Sequence, residues 1–141
     1  MEVFSLDTQP DQEICLPFFD AGVAAGEPAY VSEYFEERIN LSSELIPKPQ
    51  CTFCVRVQGQ SMLNAGIHDG DLLIVEKDRE ANPGQIVLAV VNGSYTVKRL
   101  AREGHRHYLK AENPDYPHIY LDTFDDCRIW GVVTGVIRKT V

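Results

Sequence analysis

The stretch IVLAVVNGSYTVKRL, Ile86 to Leu100, decides the fold. A continuous apolar run stops at Asn92-Gly93, and a run of alternating polarity resumes at once. Both turn residues tolerate positive φ, which a two-residue hairpin turn demands. The pattern predicts two antiparallel strands joined by a tight turn. Working outward, CTFCVRVQG, DLLIVEK, RHYLKAE, HIYL and CRIWGVVTGVIRK also read as strands bounded by turn residues. Gly66, Asp69-Gly70 and Pro83-Gly84 mark further turns. Six or seven strands in about 90 residues predict a compact, mostly β, largely antiparallel domain.

Ahead of these runs the pattern changes. Residues 1–35 read as weakly structured, because Pro10, Pro17 and Pro28 interrupt them and small residues fill AGVAAGEPA. EYFEERINLSSELI predicts a short helix with Phe35, Ile39, Leu41, Leu45 and Ile46 on one face. Pro47 and Pro49 would close it. The expected organisation is an N-terminal arm over 1–40 followed by a β domain over 41–141.

Composition narrows the classes. The chain has 141 residues, 44% of them hydrophobic, enough for a buried core. Its formal net charge is −8 and its isoelectric point about 4.9. Phosphate contacts need clustered Lys and Arg, so this balance speaks against a DNA-binding surface. No apolar run approaches the roughly 20 residues that cross a bilayer. The acidic N-terminus lacks the basic start and apolar middle of a signal peptide. A cytoplasmic location with no membrane contact is the expectation. Cys15, Cys51, Cys54 and Cys127 are expected as free thiols. CTFC is a lone C-x-x-C without a second pair at zinc-ligand spacing, and on a strand positions three apart face opposite ways. No metal and no other cofactor are expected.

The candidate chemistry lies in VQGQSMLNAGIHDGDLLIVEK, Val57 to Lys77. Gly59 lets the chain bend out of its strand, and Ser61 follows on irregular backbone, with Met62, Leu63 and Ile67 available to pin the turn. Ser61 is either a turn or capping serine, or a nucleophile, which needs a base within reach. The histidines offer little. His105 and His107 flank Arg106 in a charged stretch, His68 falls in the polar turn, and His118 sits beside a proline; all four read as surface residues. Lys98 is more suggestive. Alternation puts Thr96, Lys98 and Leu100 on one face of a strand, with Val97 and Arg99 on the other. A lysine held against apolar neighbours loses solvation of its charged form, and a lowered pKa lets it accept a proton. The alternative is a stem lying on the sheet with its head in water. Ser-Lys pairs are a known form of the nucleophile-plus-base arrangement.

Taken together, VQGQSMLNAGIHDGDLLIV and, 37 positions after Ser61, TVKRL resemble the LexA/UmuD family of self-cleaving Ser-Lys proteases, peptidase family S24. The likeness takes in G-x-S-M, I-x-D-G-D-L-L-I-V and T-V-K in that order. It extends to Ala25-Gly26 in VAAGEPAY, to ERINL at 37–41 and to the terminal WGVVTGVIRK. The resemblance implies Ser61 as nucleophile, Lys98 as general base and the Ala25–Gly26 bond as substrate. It also implies a LexA C-terminal-like β domain preceded by a flexible N-terminal arm. A small Ala25 suits a tight pocket, and Gly26 lets the backbone approach without a Cβ clash. The arm would lie extended in a cleft, like an added strand. Ala21-Gly22 is a decoy dipeptide, since only Ala25-Gly26 keeps the family's distance to Ser61.

Within the family, LexA-like and phage repressors carry a helix-turn-helix domain ahead of the bond, whereas 25 residues precede it here. Signal peptidases share the chemistry but need a membrane anchor. The short arm and overall length look like UmuD-type members, although those are expected to carry Cys-Gly at the bond. That likeness implies a homodimer acting in the SOS response to DNA damage. It implies self-cleavage promoted by RecA filaments on single-stranded DNA. The processed form, residues 26–141, would join a UmuC-like Y-family polymerase in error-prone translesion synthesis, with no sequence-specific DNA binding of its own. The alternative is a truncated repressor-type regulator that dimerises with a DNA-binding relative and has no polymerase partner. A stand-alone binding module with a vestigial dyad is disfavoured by the presence of both Ser61 and Lys98.

Overall fold

The computed structural model describes residues 2–5, 13–19, 36–124 and 126–141. It divides into two compact units, one of Thr8–Pro47 and one of Met1–Asp7 with Lys48–Val141. In chain order the elements are β1 (Glu2–Ser5), β2 (Cys15–Phe19), β3 (Glu36–Asn40), α1 (Leu41–Leu45), β4 (Thr52–Arg56) and β5 (Leu72–Glu76). They continue with β6 (Ile86–Val91), β7 (Ser94–Glu103), β8 (Arg106–Lys110), β9 (Ile119–Tyr120) and β10 (Cys127–Ile137).

The larger unit is an eight-stranded, wholly antiparallel sheet in the order β1-β4-β5-β10-β6-β7-β8-β9. The mostly β, antiparallel expectation holds, and all seven strand runs read from the sequence are strands. Asn92 and Gly93 take φ of 48° and 83°, so the β6–β7 turn has the positive dihedrals that the Asn-Gly pair supplies. The hairpin closes with Val91 opposite Ser94 and Val87 opposite Lys98.

β10 lies between β5 and β6 and shifts register against each, at Val133/Gly135 and at Ile129/Gly131. Such bulges bend a strand and sharpen its twist. Gly131 is required by contact: a Cβ there would lie 2.5 Å from Val75 Cγ1 and 2.9 Å from the Glu76 carbonyl oxygen. One apolar cluster gathers Phe53, Val55, Leu73, Val75, Leu88 and Val97 with Val57, Met62 and Ile67. A second gathers Val87, Ala89, Leu100, Leu109 and Val132. The loop from Val57 to Asp71 is anchored through the first cluster.

Two upstream expectations are corrected. Cys15–Phe19 and Glu2–Ser5 are strands within the stretch read as weakly structured. β1 pairs with β4, Glu2 opposite Arg56 and Ser5 opposite Phe53, a long-range partnership with no local signature. Among the described residues the helix expected across EYFEERINLSSELI is confined to Leu41–Leu45, because Glu36–Asn40 pairs with Cys15–Phe19 as β3. Asn40 explains the break. It sits at φ −87°, ψ 102°, outside helical space, and its side chain accepts from the Ser43 N–H as an N-cap. A residue that caps one turn cannot continue a helix through itself.

Candidate active site

The Val57–Asp71 segment is a loop closed at its base and cross-tied inside. The Val57 N–H donates to the Asp71 carbonyl and the Gly70 N–H to the Val57 carbonyl, each at 2.8 Å. The Gly59 N–H donates to the Asp69 carboxylate at 2.7 Å. Met62 and Ile67 are buried and hold the loop onto the sheet. The polar residues that follow Ser61 are therefore scaffold. Asp71 is only 1% exposed and accepts twice from Arg138, at 2.7 and 2.6 Å, and once from the His68 N–H at 2.8 Å. The Arg138 guanidinium, acting above all through these bonds, holds the Asp71 carboxyl below its usual range. Arg138 also donates to the Gly66 carbonyl at 2.7 Å, tying the loop's far end to the chain beyond β10.

Lys98 comes to Ser61 from β7. Its Nζ donates to Ser61 Oγ at 2.9 Å, to Thr96 Oγ1 at 2.8 Å and to the Val97 carbonyl at 3.1 Å. Lys98 is 7% exposed, and Val87, fully buried, stands directly opposite it on β6. Directly opposed residues share a sheet face, so the lysine stem runs beside that valine. Among the described residues no carboxylate pairs with it. Burial, uncompensated by an opposite charge, pushes its pKa below the ordinary 10.5. In the neutral amine two N–H groups still serve Thr96 and Val97, and the lone pair faces the Ser61 hydroxyl.

A cavity of about 180 Å³ opens beside the serine, lined by Val57, Gln58, Ser61, Met62, Tyr95, Thr96 and Val97. Three loop residues and a strand edge thus flank the hydroxyl, the shape that an extended peptide would fill. The backbone N–H groups of Ser61 and Met62 donate to no acceptor among the described residues. Ala25 and Gly26 lie outside the described residues.

Among the described residues none of the remaining sequence candidates bonds to the serine. His118 stacks on Tyr108 at 4.7 Å, and His105 and His107 are exposed. Cys54 is buried in β4, where burial pushes its thiol up, and Cys51 donates to the Lys48 carbonyl. Among the described residues no three metal-ligating side chains gather. Sequence reasoning placed Thr96 only by face, and it missed the loop after β8. There the Glu112 carbonyl accepts from the Asn64 N–H at 2.8 Å, and Asn113 Nδ2 donates to the Gln60 carbonyl at 3.0 Å. Asn-Pro-Asp at 113–115 signals a turn, but nothing local in it points to Gln60.

Comparison with known proteins identifies the family. The Peptidase S24-like family model matches residues 17–134. The chain is 42% identical over 135 residues to a LexA repressor of Aliivibrio salmonicida, covering 95% of this chain and 64% of that protein. It is 44% identical over 134 residues to a LexA repressor of Shewanella denitrificans, covering 94% and 65%. LexA repressor 1 of Pseudomonas syringae pv. tomato is 42% identical over 134 residues, again covering 94% and 65%. The chain spans just under two thirds of the length of these relatives. A family match across most of the chain, over an antiparallel sheet that brings a serine to a buried lysine, has one reading: this chain belongs to the Peptidase S24-like family.

Proposed function

We propose that the chain is a self-cleaving serine endopeptidase in which Ser61 is the nucleophile and Lys98 the general base. The observation that carries this is the 2.9 Å contact between Lys98 Nζ and Ser61 Oγ, made by a lysine buried without a counter-charge. The bond cut is Ala25–Gly26. Neutral Lys98 takes the hydroxyl proton as Ser61 Oγ attacks the Ala25 carbonyl carbon. Backbone amides at Ser61 and Met62, which donate to no acceptor among the described residues, receive the negative oxygen in this reading. The C–N bond then breaks, and the lysine returns its proton to the Gly26 amine. Water, deprotonated by the same lysine, attacks the Ala25 ester, frees the carboxylate and regenerates Ser61.

The biological context inferred is SOS self-processing stimulated by RecA filaments on single-stranded DNA. A filament need supply no catalytic group; it need only favour the conformer in which the bond occupies the cleft. In the UmuD-type reading, the homodimeric processed form, residues 26–141, serves a UmuC-like Y-family polymerase. A second reading is a repressor-type regulator, and the relatives' printed name, LexA repressor, favours it. Incubating pure protein at alkaline pH and following intact mass tests the chemistry. A new N-terminus at Gly26, absent in Ser61→Ala and Lys98→Ala, is expected. Absence of cleavage in every condition, RecA filaments included, would sink the peptidase reading. Affinity capture against a Y-family polymerase and against a helix-turn-helix relative separates the two contexts.

A further inference from the structure

The loop after β8 grips the serine turn on both sides of Ser61. Asn113 Nδ2 donates to the Gln60 carbonyl, the residue just before the serine, at 3.0 Å. The Glu112 carbonyl receives the Asn64 N–H, three residues after it, at 2.8 Å. Asn113 is itself oriented, because its Oδ1 accepts the Asp115 N–H at 3.1 Å. Its amide is thus turned with the NH₂ toward Gln60. The grip is fastened to the strand that bears Lys98: Arg99, next in sequence, pairs through Nε with the Glu112 carboxylate and donates to the Gly84 carbonyl at 2.6 Å.

The consequence follows from peptide geometry. The Gln60 C=O and the Ser61 N–H belong to one planar trans unit, so they point in opposite directions. Whatever fixes the carbonyl fixes the amide. Asn113, with help from the Leu63 N–H at 3.3 Å, holds that carbonyl. The Ser61 N–H is thereby turned away from Asn113, and it donates to no acceptor among the described residues. We infer that Asn113 is a positioning residue that aims the Ser61 amide at the oxyanion by pinning the Gln60–Ser61 peptide. The inference rests on the reading of Ser61 as nucleophile and adds the group that sets its amide.

Asn113→Asp is the sharp test. It keeps Oδ1 for the Asp115 N–H but faces the Gln60 carbonyl with an acceptor instead of a donor. The donor is misaimed rather than deleted, so the plateau rate of alkaline self-cleavage should fall about 10-fold to 100-fold, short of the roughly 100-fold to 1,000-fold for a lost donor. In Asn113→Ala, which adds no charge, the pH midpoint should stay at the wild-type value, because Lys98 is untouched. In ¹⁵N–¹H spectra of the uncleavable Lys98→Met background, the Ser61 amide resonance should shift in both Asn113→Asp and Asn113→Ala. A wild-type plateau, a midpoint moved in Asn113→Ala or an unshifted Ser61 amide would overturn the inference. So would loss of the folded spectrum in both variants, since Asn113 would then support the domain and not one peptide. If wild-type protein cleaves and Asn113→Asp cleaves equally well, only this inference fails. If wild-type protein never cleaves, the peptidase reading fails, and the amide spectrum still judges the geometry.

Discussion

Replacing Lys98 by methionine separates two consequences of burying a lysine beside Ser61. Methionine keeps an unbranched apolar stem and removes the amine. Catalysis comes first. At the ordinary pKa of 10.5, roughly one lysine in a thousand would be neutral at about pH 7.5. Burial against Val87 lowers that pKa, so the competent fraction is larger. The logarithm of the wild-type cleavage rate should therefore climb with unit slope and level off below pH 10.5. Lys98→Met should lose roughly 100-fold to 10,000-fold at the plateau, the usual worth of a general base, and should show no such climb.

Stability moves the other way. Unfolded, Lys98 titrates near its ordinary value; folded, it titrates lower. Between those two pH values the unfolded chain holds more protons, so stability rises with pH across that window by up to about 1.4 kcal/mol per unit. Below the folded value both states are charged, and the folded state carries the full burial cost. Methionine removes that cost. On a Ser61→Ala background, where no chain is cut, Lys98→Met should melt higher at neutral pH. Its advantage should shrink as pH approaches 10.5. Thermal melts and intact-mass kinetics from about pH 6 to about pH 11 read both effects. A cleavage rate still climbing past 10.5, with an unchanged or lower melt for the methionine variant, would refute the reasoning.

Two further predictions concern the scaffold. Gly131→Ala would put a Cβ 2.9 Å from the Glu76 carbonyl, backbone that yields only if β5 shifts. Overpacking of this kind costs about 1–3 kcal/mol, which calorimetry should read as a fall of about 4–8 °C per kcal/mol; an unchanged melt would contradict the close approach. Arg138→Ala leaves the buried Asp71 carboxylate with the His68 N–H alone. A carboxylate with a lowered pKa adds stability above its unfolded value and loses it as pH falls through the folded one. The variant forfeits that contribution, so its acid unfolding, followed by circular dichroism, should begin at higher pH. Coincident acid limbs for variant and wild type would show that the clamp contributes nothing.

The sheet was legible because its strands announce themselves locally. Apolar runs, alternation and Gly-containing turns need no knowledge of partners. β3 was not legible, since EERIN owes its extended form to pairing with CLPFF upstream, Cys15 opposite Asn40 and Phe19 opposite Glu36. Local propensity favoured helix there, and tertiary pairing overrode it. The site divides the same way. Ser61 and Lys98 could be read as residue types in suggestive settings, and alternation put Lys98 with Leu100. What alternation could not supply was the depth of the lysine, the acceptors at Thr96 and Val97, or the ties from Asn113 and Arg138. Those ties span 53 and 67 positions. Such separations leave no periodic trace in the chain.

The hairpin turn ties the sheet to the site. β7 carries two adjacent basic residues, and adjacent strand residues face opposite ways. With Val87 opposite Lys98 and Ile86 opposite Arg99, the first meets Ser61 Oγ and the second holds Glu112. A slip of one position would exchange their faces. Arginine would then lie on the serine's side, and its guanidinium is never deprotonated in proteins, so it could not accept the hydroxyl proton. The register that prevents this is set by a two-residue turn whose φ values only residues such as Asn and Gly adopt readily. Asn92-Gly93 therefore does more than reverse the chain. It selects which of two cations faces Ser61, and with it whether the nucleophile proposed there has a base at all.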